Sequence, residues 1–287
     1  MRDKQTMLEC IKTIALNDSH VLAVLMNGSR VNPHVTKDDF NDYDIVYVVD
    51  SLDPFIENDT FLNQFGDILI KQEPMKMDLE SGIINQYGAV YNVLMVFKDY
   101  NRIDLTLVTK AHALETLYDD SLTKVLLDKY AILPDLNSPD ESTYYIKRPT
   151  KIMFNHAVNE FCWCVQNVVK GLHRKELPYA INMYHLTLKK ELEKMLNWWI
   201  GYHHDFKVNT GALNKWFKHY LPDDYYLTYS HLNMSDDYKN NFTVLKRAAH
   251  FFLKVSKEVA KALDFSVNPS EEKGMLNYLK AFDLTNQ

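Results

Sequence analysis

The feature that most restricts the fold is a single change of periodicity along the 287 residues. Up to about residue 134, short apolar runs of strand length alternate with polar turns; beyond Pro149, apolar residues recur at helical spacing. Strands followed by helices, rather than strands interleaved with them throughout, predict an α+β protein. Residues 1–135 would form a small mixed or antiparallel sheet with flanking helices, and residues 136–287 an α-helical bundle. In the first part, Met7, Leu8, Ile11, Ala15 and Leu16 fall on one helical stripe. Val21 to Met26, Ile45 to Val49 and Phe65 to Lys71 read as strands, and Tyr91 to Phe97 pairs with Arg102 to Val108 as a hairpin around Lys98-Asp99-Tyr100-Asn101. In the second part, Thr150 caps a helix through Lys170 that Gly171 stops, and a further helix from about Pro178 to Ile200 is stopped by Gly201. Another starts at Ser235 and runs to Leu263, leaving a loosely held tail from Asp264 with one short helical turn near Met275 to Phe282.

Chemistry concentrates in the first part. Gly28-Ser29 follows the first strand, twelve residues separate it from Asp42-Tyr43-Asp44 at the start of the second, and Asp104 interrupts the apolar strand Arg102–Leu107. Asp42 and Asp44 are two apart on an extended segment, so their carboxylates point to one face and repel. Such a pair persists most readily around a divalent cation, and hard oxygen ligands suit magnesium held with nucleotide phosphates. Asp104 is either a hydrogen-bonded structural acid or a third carboxylate brought beside that pair, because an unpartnered charge inside an apolar strand is costly. Gly28 permits close backbone approach to a phosphate, and the Ser29 hydroxyl supplies a donor. In this order they are the parts of a phosphoryl-transfer site.

At these residues the chain resembles the nucleotidyltransferase superfamily, and within it the aminoglycoside 6-adenylyltransferases, the streptomycin-modifying enzymes. The resemblance is carried by Met26–Pro33, Asp42–Val49 and Arg102–Val108. It continues through Leu126–Lys129, Ile146–Thr150, Asn159-Glu160-Phe161, Lys170-Gly171-Leu172 and His204–Gly211, to about residue 265. It implies an N-terminal nucleotidyltransferase domain, a C-terminal helical domain, and transfer of AMP from ATP, with Mg2+, to the 6-hydroxyl of streptomycin. Asp42, Asp44 and Asp104 would then be the catalytic and metal-binding residues, with Asp104 either general base or third ligand, and Gly28, Ser29 and Arg30 would lie at the nucleotide. The chain departs from the family at Cys162 and His173, where tryptophans are expected, and at Thr210–Lys215. All three places lie in the helical part, where the acceptor would bind.

In that part, Lys170 and Arg174 either complement the dipole at a helix C-terminus or reach the ATP phosphates. Glu160, Glu176 and Asp205 are ordinary surface acids or carboxylates facing a polycationic acceptor, and Trp163 is either bundle core, as Trp198, Trp199 and Trp216 are, or a platform for a sugar ring. His203-His204-Asp205 is a local structural motif, since three ligands on one short segment fit a metal poorly. The 32 basic against 38 acidic residues, net −6, argue against a nucleic-acid partner. Cys10, Cys162 and Cys164, an odd number with two of them separated by one residue, indicate a reducing compartment. No apolar run reaches signal-peptide or membrane-spanning length, so a cytoplasmic protein is expected. Two other readings keep the same residues: a nucleotidyltransferase acting on a protein or RNA, and a nucleotide-binding module without turnover.

Overall fold

The computed structural model describes residues 1–286. The chain forms two compact units, Met1–Thr143 and the residues from Tyr144 onward. Residues 136–143 belong to the first, to which backbone and side-chain hydrogen bonds tie them. The Asp140 N–H donates to the Ser121 carbonyl, the Asn32 amide donates to the buried Glu141 carboxylate, and the Ser121 and Thr143 hydroxyls lie 2.9 Å apart.

The first unit runs α1 (Lys4–Asn17), β1 (Val21–Asn27), β2 (Tyr43–Val49), α2 (Asp53–Glu57), β3 (Ile68–Gln72), α3 (Pro74–Glu80), β4 (Val90–Phe97), β5 (Arg102–Thr109), α4 (Lys110–Thr116) and β6 (Thr123–Asp128). The six strands form one mixed sheet in the order β3-β4-β5-β2-β1-β6, in which β2 and β5 are parallel and the other neighbours antiparallel. Two expectations change. The strand anticipated from Phe65 starts only at Ile68, because Phe65 closes a 3₁₀ turn and Gly66 breaks the chain there. β6 was not anticipated; its partly exposed residues at the sheet edge show no clean alternation.

One face of the sheet, from Tyr43, Ile45, Tyr47 and Val49 of β2 and Ile103, Leu105 and Leu107 of β5, packs on Met7 and Ile11 of α1 and on Phe55, Phe61 and Phe65. The buried Tyr47 hydroxyl donates to the Ile11 carbonyl at 2.6 Å and joins helix to sheet. The opposite face is covered at one end by Ala113 of α4 and by Leu117 after it, over Ala23, Leu25, Val48 and Val108. The other end of that face carries the carboxylates.

The second unit comprises α5 (Lys151–His173), α6 (Leu177–Met183), α7 (Lys189–His203), α8 (Phe217–Tyr220), α9 (Asp223–Ser230), α10 (Tyr238–Leu263) and α11 (Pro269–Ala281). Thr150 caps α5 as expected, accepting from the Met153 N–H. Gly171 does not end that helix. It lies inside α5, where an added Cβ would come 2.9 Å from the Tyr179 ring and 3.1 Å from the Ala180 methyl, so its place is set by the approach of α6. The second long helix is interrupted by a π-helical turn at Tyr184–Leu188, and Gly201 falls within α7, not after it. α10 begins at Tyr238, since the Asp237 carboxylate, not Ser235, caps it by accepting from the Asn240 N–H. The tail expected from Asp264 is the thirteen-residue helix α11, anchored by buried Met275 and Leu279. Among the described residues, no helix is long and apolar enough to cross a membrane.

The bundle closes around Phe161 of α5 and Phe252 of α10, both fully buried, with rings stacked 3.8 Å apart at 3°. Truncation here removes most of a buried ring and leaves a cavity. Phe161→Ala should cost the helical unit about 3–5 kcal/mol, read as an earlier denaturant transition in the helical circular dichroism signal.

Candidate active site

β1 ends, and β2 and β5 begin, in a row of polar side chains. Asn27 of β1 stands directly across from Asp44 of β2, which stands in register with Asp104 of the parallel strand β5. Residues paired across a sheet share a face, so these three side chains point the same way. Asp42 precedes β2 by one residue, two positions from Asp44 along the extended chain. The third carboxylate is thus brought beside the pair by the parallel pairing of β2 and β5.

Gly28 then turns the chain out of β1 at φ +72°, and an added Cβ would lie 2.2 Å from the Asp44 Oδ2. Only glycine supplies both that backbone conformation and that clearance. The polar segment between Val31 and Asn41 is tied down by its own side chains. Arg30 donates from Nε to the Asp42 carbonyl at 3.0 Å and from Nη2 to the Asn41 carbonyl at 2.6 Å, with its guanidinium 3.6 Å over the Tyr43 ring. Asn41 donates to the Ser29 hydroxyl at 3.1 Å, and Lys37 donates to the Ser29 and Val35 carbonyls at 2.7 and 2.9 Å and to that of Asn32. Arg30, expected at the nucleotide, thus has two of its nitrogens holding the Asp42 loop.

The electrostatics follow from crowding. Burial first, then the charges of Asp104 and Asp42, push the Asp44 carboxyl up to about 6. Burial also raises Asp42, against the opposing pull of Arg102. Arg102 forks onto Asp104, Nε to Oδ1 and Nη2 to Oδ2, both at 2.7 Å, and its Nη1 lies 3.4 Å from the Asp42 Oδ2. Sequence reasoning gave Arg102 no role, although its place two residues before Asp104 on the same strand face was visible. Asp120, whose Oδ2 accepts from the Asn27 amide at 3.3 Å and whose charge also raises Asp44, carried no local signal because it comes from a distant loop.

The donor set suits a hard divalent cation. Beside the three carboxylates, the Asn27 Oδ1 is buried with no hydrogen-bond partner, a further neutral oxygen on the same row. As the side chains stand, no group of three or more His, Cys, Asp or Glu among the described residues is arranged to hold an ion. Next to the row, a cavity of about 160 Å³ is lined by Asn27, Val46, Thr106, Asp120 and Thr123 among others.

In the helical unit, Glu160 and Trp163 lie on the exposed side of α5, and Trp163, at 66% exposure, is outside the core that buries Trp198. Glu160 accepts from the Cys164 thiol at 3.4 Å. Burial raises both thiols, Cys164 to about 11 and Cys162 to about 12, which keeps them protonated. Lys170 sits in the last turn of α5 and Arg174 caps it; exposed Glu176 precedes α6, and exposed Asp205 follows α7 at φ +52°. His173, where a tryptophan was expected, uses its Nε2 on the Phe282 carbonyl at 2.8 Å and packs edge-on to that ring. His203 stacks on Trp199 at 3.9 Å and His204 packs edge-on to Tyr220, so both histidines serve the bundle.

A mixed sheet that lines up carboxylates beyond a Gly-Ser turn, followed by a helical unit, has the composition of a nucleotide-transferring enzyme. The chain belongs to the streptomycin adenylyltransferase family, which it matches over residues 1–282, and so to the adenylyl-transferring enzymes. An aminoglycoside 6-adenylyltransferase of Campylobacter jejuni is 33% identical over 279 residues, 97% of this chain and 95% of the relative. One from Bacillus subtilis (strain 168) is 33% identical over 283 residues, 97% of both chains, and one from Staphylococcus aureus is 30% identical over 282 residues, 98% of both. A crystal structure of an aminoglycoside 6-adenyltransferase from Bacillus subtilis aligns over 98% of this chain and 99% of that one, at 28% identity and a TM-score of 0.48.

Two outcomes follow from the geometry. Gly28→Ala should lower the melting temperature and displace Asp44, because the methyl occupies the carboxylate's place. A carboxyl raised in the folded state contributes stability that is full below its ordinary value of 3.8 and lost as pH rises through about 6. Metal-free wild type should therefore lose melting temperature between about pH 4 and about pH 7 relative to Asp44→Asn; parallel pH profiles of the two proteins would contradict the crowding.

Proposed function

We propose that this protein transfers AMP from Mg-ATP to the 6-hydroxyl of streptomycin. The observation that carries the reading is the row of Asp44 and Asp104, with Asp42 beside it, beyond the Gly28-Ser29 turn in a chain of this family. The streptomycin and 6-hydroxyl assignments draw on the family and on the names of the relatives, and the acidic balance of the chain agrees with a polycationic acceptor.

In this reading Asp42 and Asp44 hold a magnesium ion, and Asn27 Oδ1 is a further oxygen within the same row. A cation there supplies charge neutralisation at the α-phosphate. The Gly28 and Ser29 backbone and the Ser29 hydroxyl bind phosphate oxygens, with the Asp42 loop held still by Arg30 and Lys37. The acceptor hydroxyl attacks the α-phosphate in line and pyrophosphate leaves. Asp104 either takes the hydroxyl proton or serves as a third ligand. The first unit acts as the nucleotidyltransferase domain and the helical unit as the binding domain. In the latter, Lys170 and Arg174 attract the triphosphate, while Glu160, Glu176 and Asp205 pair with the guanidinium groups of streptomycin and Trp163 offers its exposed face to a sugar ring. The free cysteines Cys10, Cys162 and Cys164 agree with work in the cytoplasm.

Pyrophosphate release from ATP and magnesium across a panel of aminoglycosides tests the reading. Streptomycin should be the best acceptor, and release with none of the panel would refute it. Asp42→Asn and Asp44→Asn should each abolish turnover while leaving the melting temperature unchanged or raised; near-normal turnover in either removes the metal assignment. Asp104→Asn should lower turnover on the order of 10²–10⁴-fold if it is the base, with Mg-ATP affinity in calorimetry unchanged. Weakened Mg-ATP binding would instead make it a ligand.

A further inference from the structure

Among the described residues, Arg102 is the cation paired with the carboxylate cluster, and its contacts fall on the atoms that the chemistry needs. Its fork takes both oxygens of Asp104 at 2.7 Å, and Nη1 reaches the Asp42 Oδ2 at 3.4 Å. The backbone permits the fork, since Arg102 and Asp104 are two apart on β5 and share a face. Bidentate guanidinium–carboxylate pairs are among the stronger polar contacts in proteins and take one lone pair on each carboxylate oxygen. A divalent cation ligated by the same oxygens, at about 2.1 Å, would stand within a few ångströms of the guanidinium. At that separation two cations repel appreciably even at the high effective dielectric of a protein surface. The same fork also leaves a hydroxyl only the two outer lone pairs of Asp104 as acceptors. Yet the Arg102 side chain is 43% exposed, so it can swing into solvent without breaking the core.

We propose that Arg102 is an exchangeable counter-ion: it balances Asp42 and Asp104 in the metal-free site and must leave them when the divalent cation binds. The inference rests on the reading that these aspartates hold a cation, and it makes Arg102 a positioning residue that acts through Asp104 and Asp42. Guanidinium and divalent cation then compete for one set of oxygens. Removing the guanidinium must therefore strengthen cation binding, although it leaves the metal-free cluster less balanced. A merely structural ion pair predicts the reverse, because losing it would disorder the ligands and weaken binding.

The test is calorimetric titration of Mg2+ and of Mn2+ into the full chain without nucleotide, for wild type, Arg102→Gln and Arg102→Lys. Arg102→Gln should bind the cation about tenfold or more tightly, a change of the size expected for removing one nearby charge. Its metal-free melting temperature should drop and recover on adding the cation. Arg102→Lys keeps the charge but loses the fork, so its affinity should fall between the other two; it carries the test if the glutamine variant does not fold. Equal or weaker binding by the variants, with wild type binding measurably, would overturn the exchange and leave the metal assignment standing. Absence of cation binding in all three proteins would overturn both.

Discussion

Everything in the first unit is arranged around one electrostatic conflict, three carboxylates gathered at one end of a sheet face. Like charges this close, partly withdrawn from water, resist ionising together, and the rise of Asp44 to about 6 expresses that resistance. The sheet tolerates the cluster because the opposite face is fully apolar, with Tyr43, Ile45, Tyr47, Ile103, Leu105 and Leu107 all buried. Burial of those alternate residues fixes the register of β2 against β5, since a slip of one residue would turn the core face out to solvent. The hydrophobic core is thus what holds Asp44 and Asp104 side by side.

The loop beside the site is held mostly by side chains bound to backbone. Arg30, Lys37 and Asn41 fasten the segment between the Gly-Ser turn and Asp42 through carbonyls and the Ser29 hydroxyl. Such contacts set the position of the loop. Gly28 completes the arrangement by admitting the Asp44 carboxylate where any side chain would exclude it.

In the helical unit, the glycines that looked like helix ends are points of close packing. Gly171 is buried against Tyr179 and Ala180, and Gly201 against the Phe206 ring. A glycine after an amphipathic run looks the same in sequence whether it ends a helix or admits a neighbour, because the difference lies in what approaches it from elsewhere in the chain. The same holds for α11, whose weakly patterned sequence forms a full helix through the burial of Met275 and Leu279 against the bundle. Trp163 errs in the other direction: a large aromatic among buried neighbours on α5 points outward.

Read alone, the sequence determined the class of the fold, the Gly-Ser turn and the Asp42–Asp44 pair, because each depends on local periodicity: strand against helix, and two residues on one strand face. Asp104 could be recognised as anomalous but not placed, and Arg102, Asp120 and Asn27 carried no functional signal. The roles of Asn27 and Asp120 arise from pairing across strands and from a distant loop, and Arg102, two residues from Asp104, reaches Asp42 only because β5 pairs with β2. Tertiary structure alone decided that β2 and β5 run parallel in a register that aligns two carboxylates. It also decided that a guanidinium from the same strand lies across them, since the charge balance of a cluster depends on every group the fold brings near it.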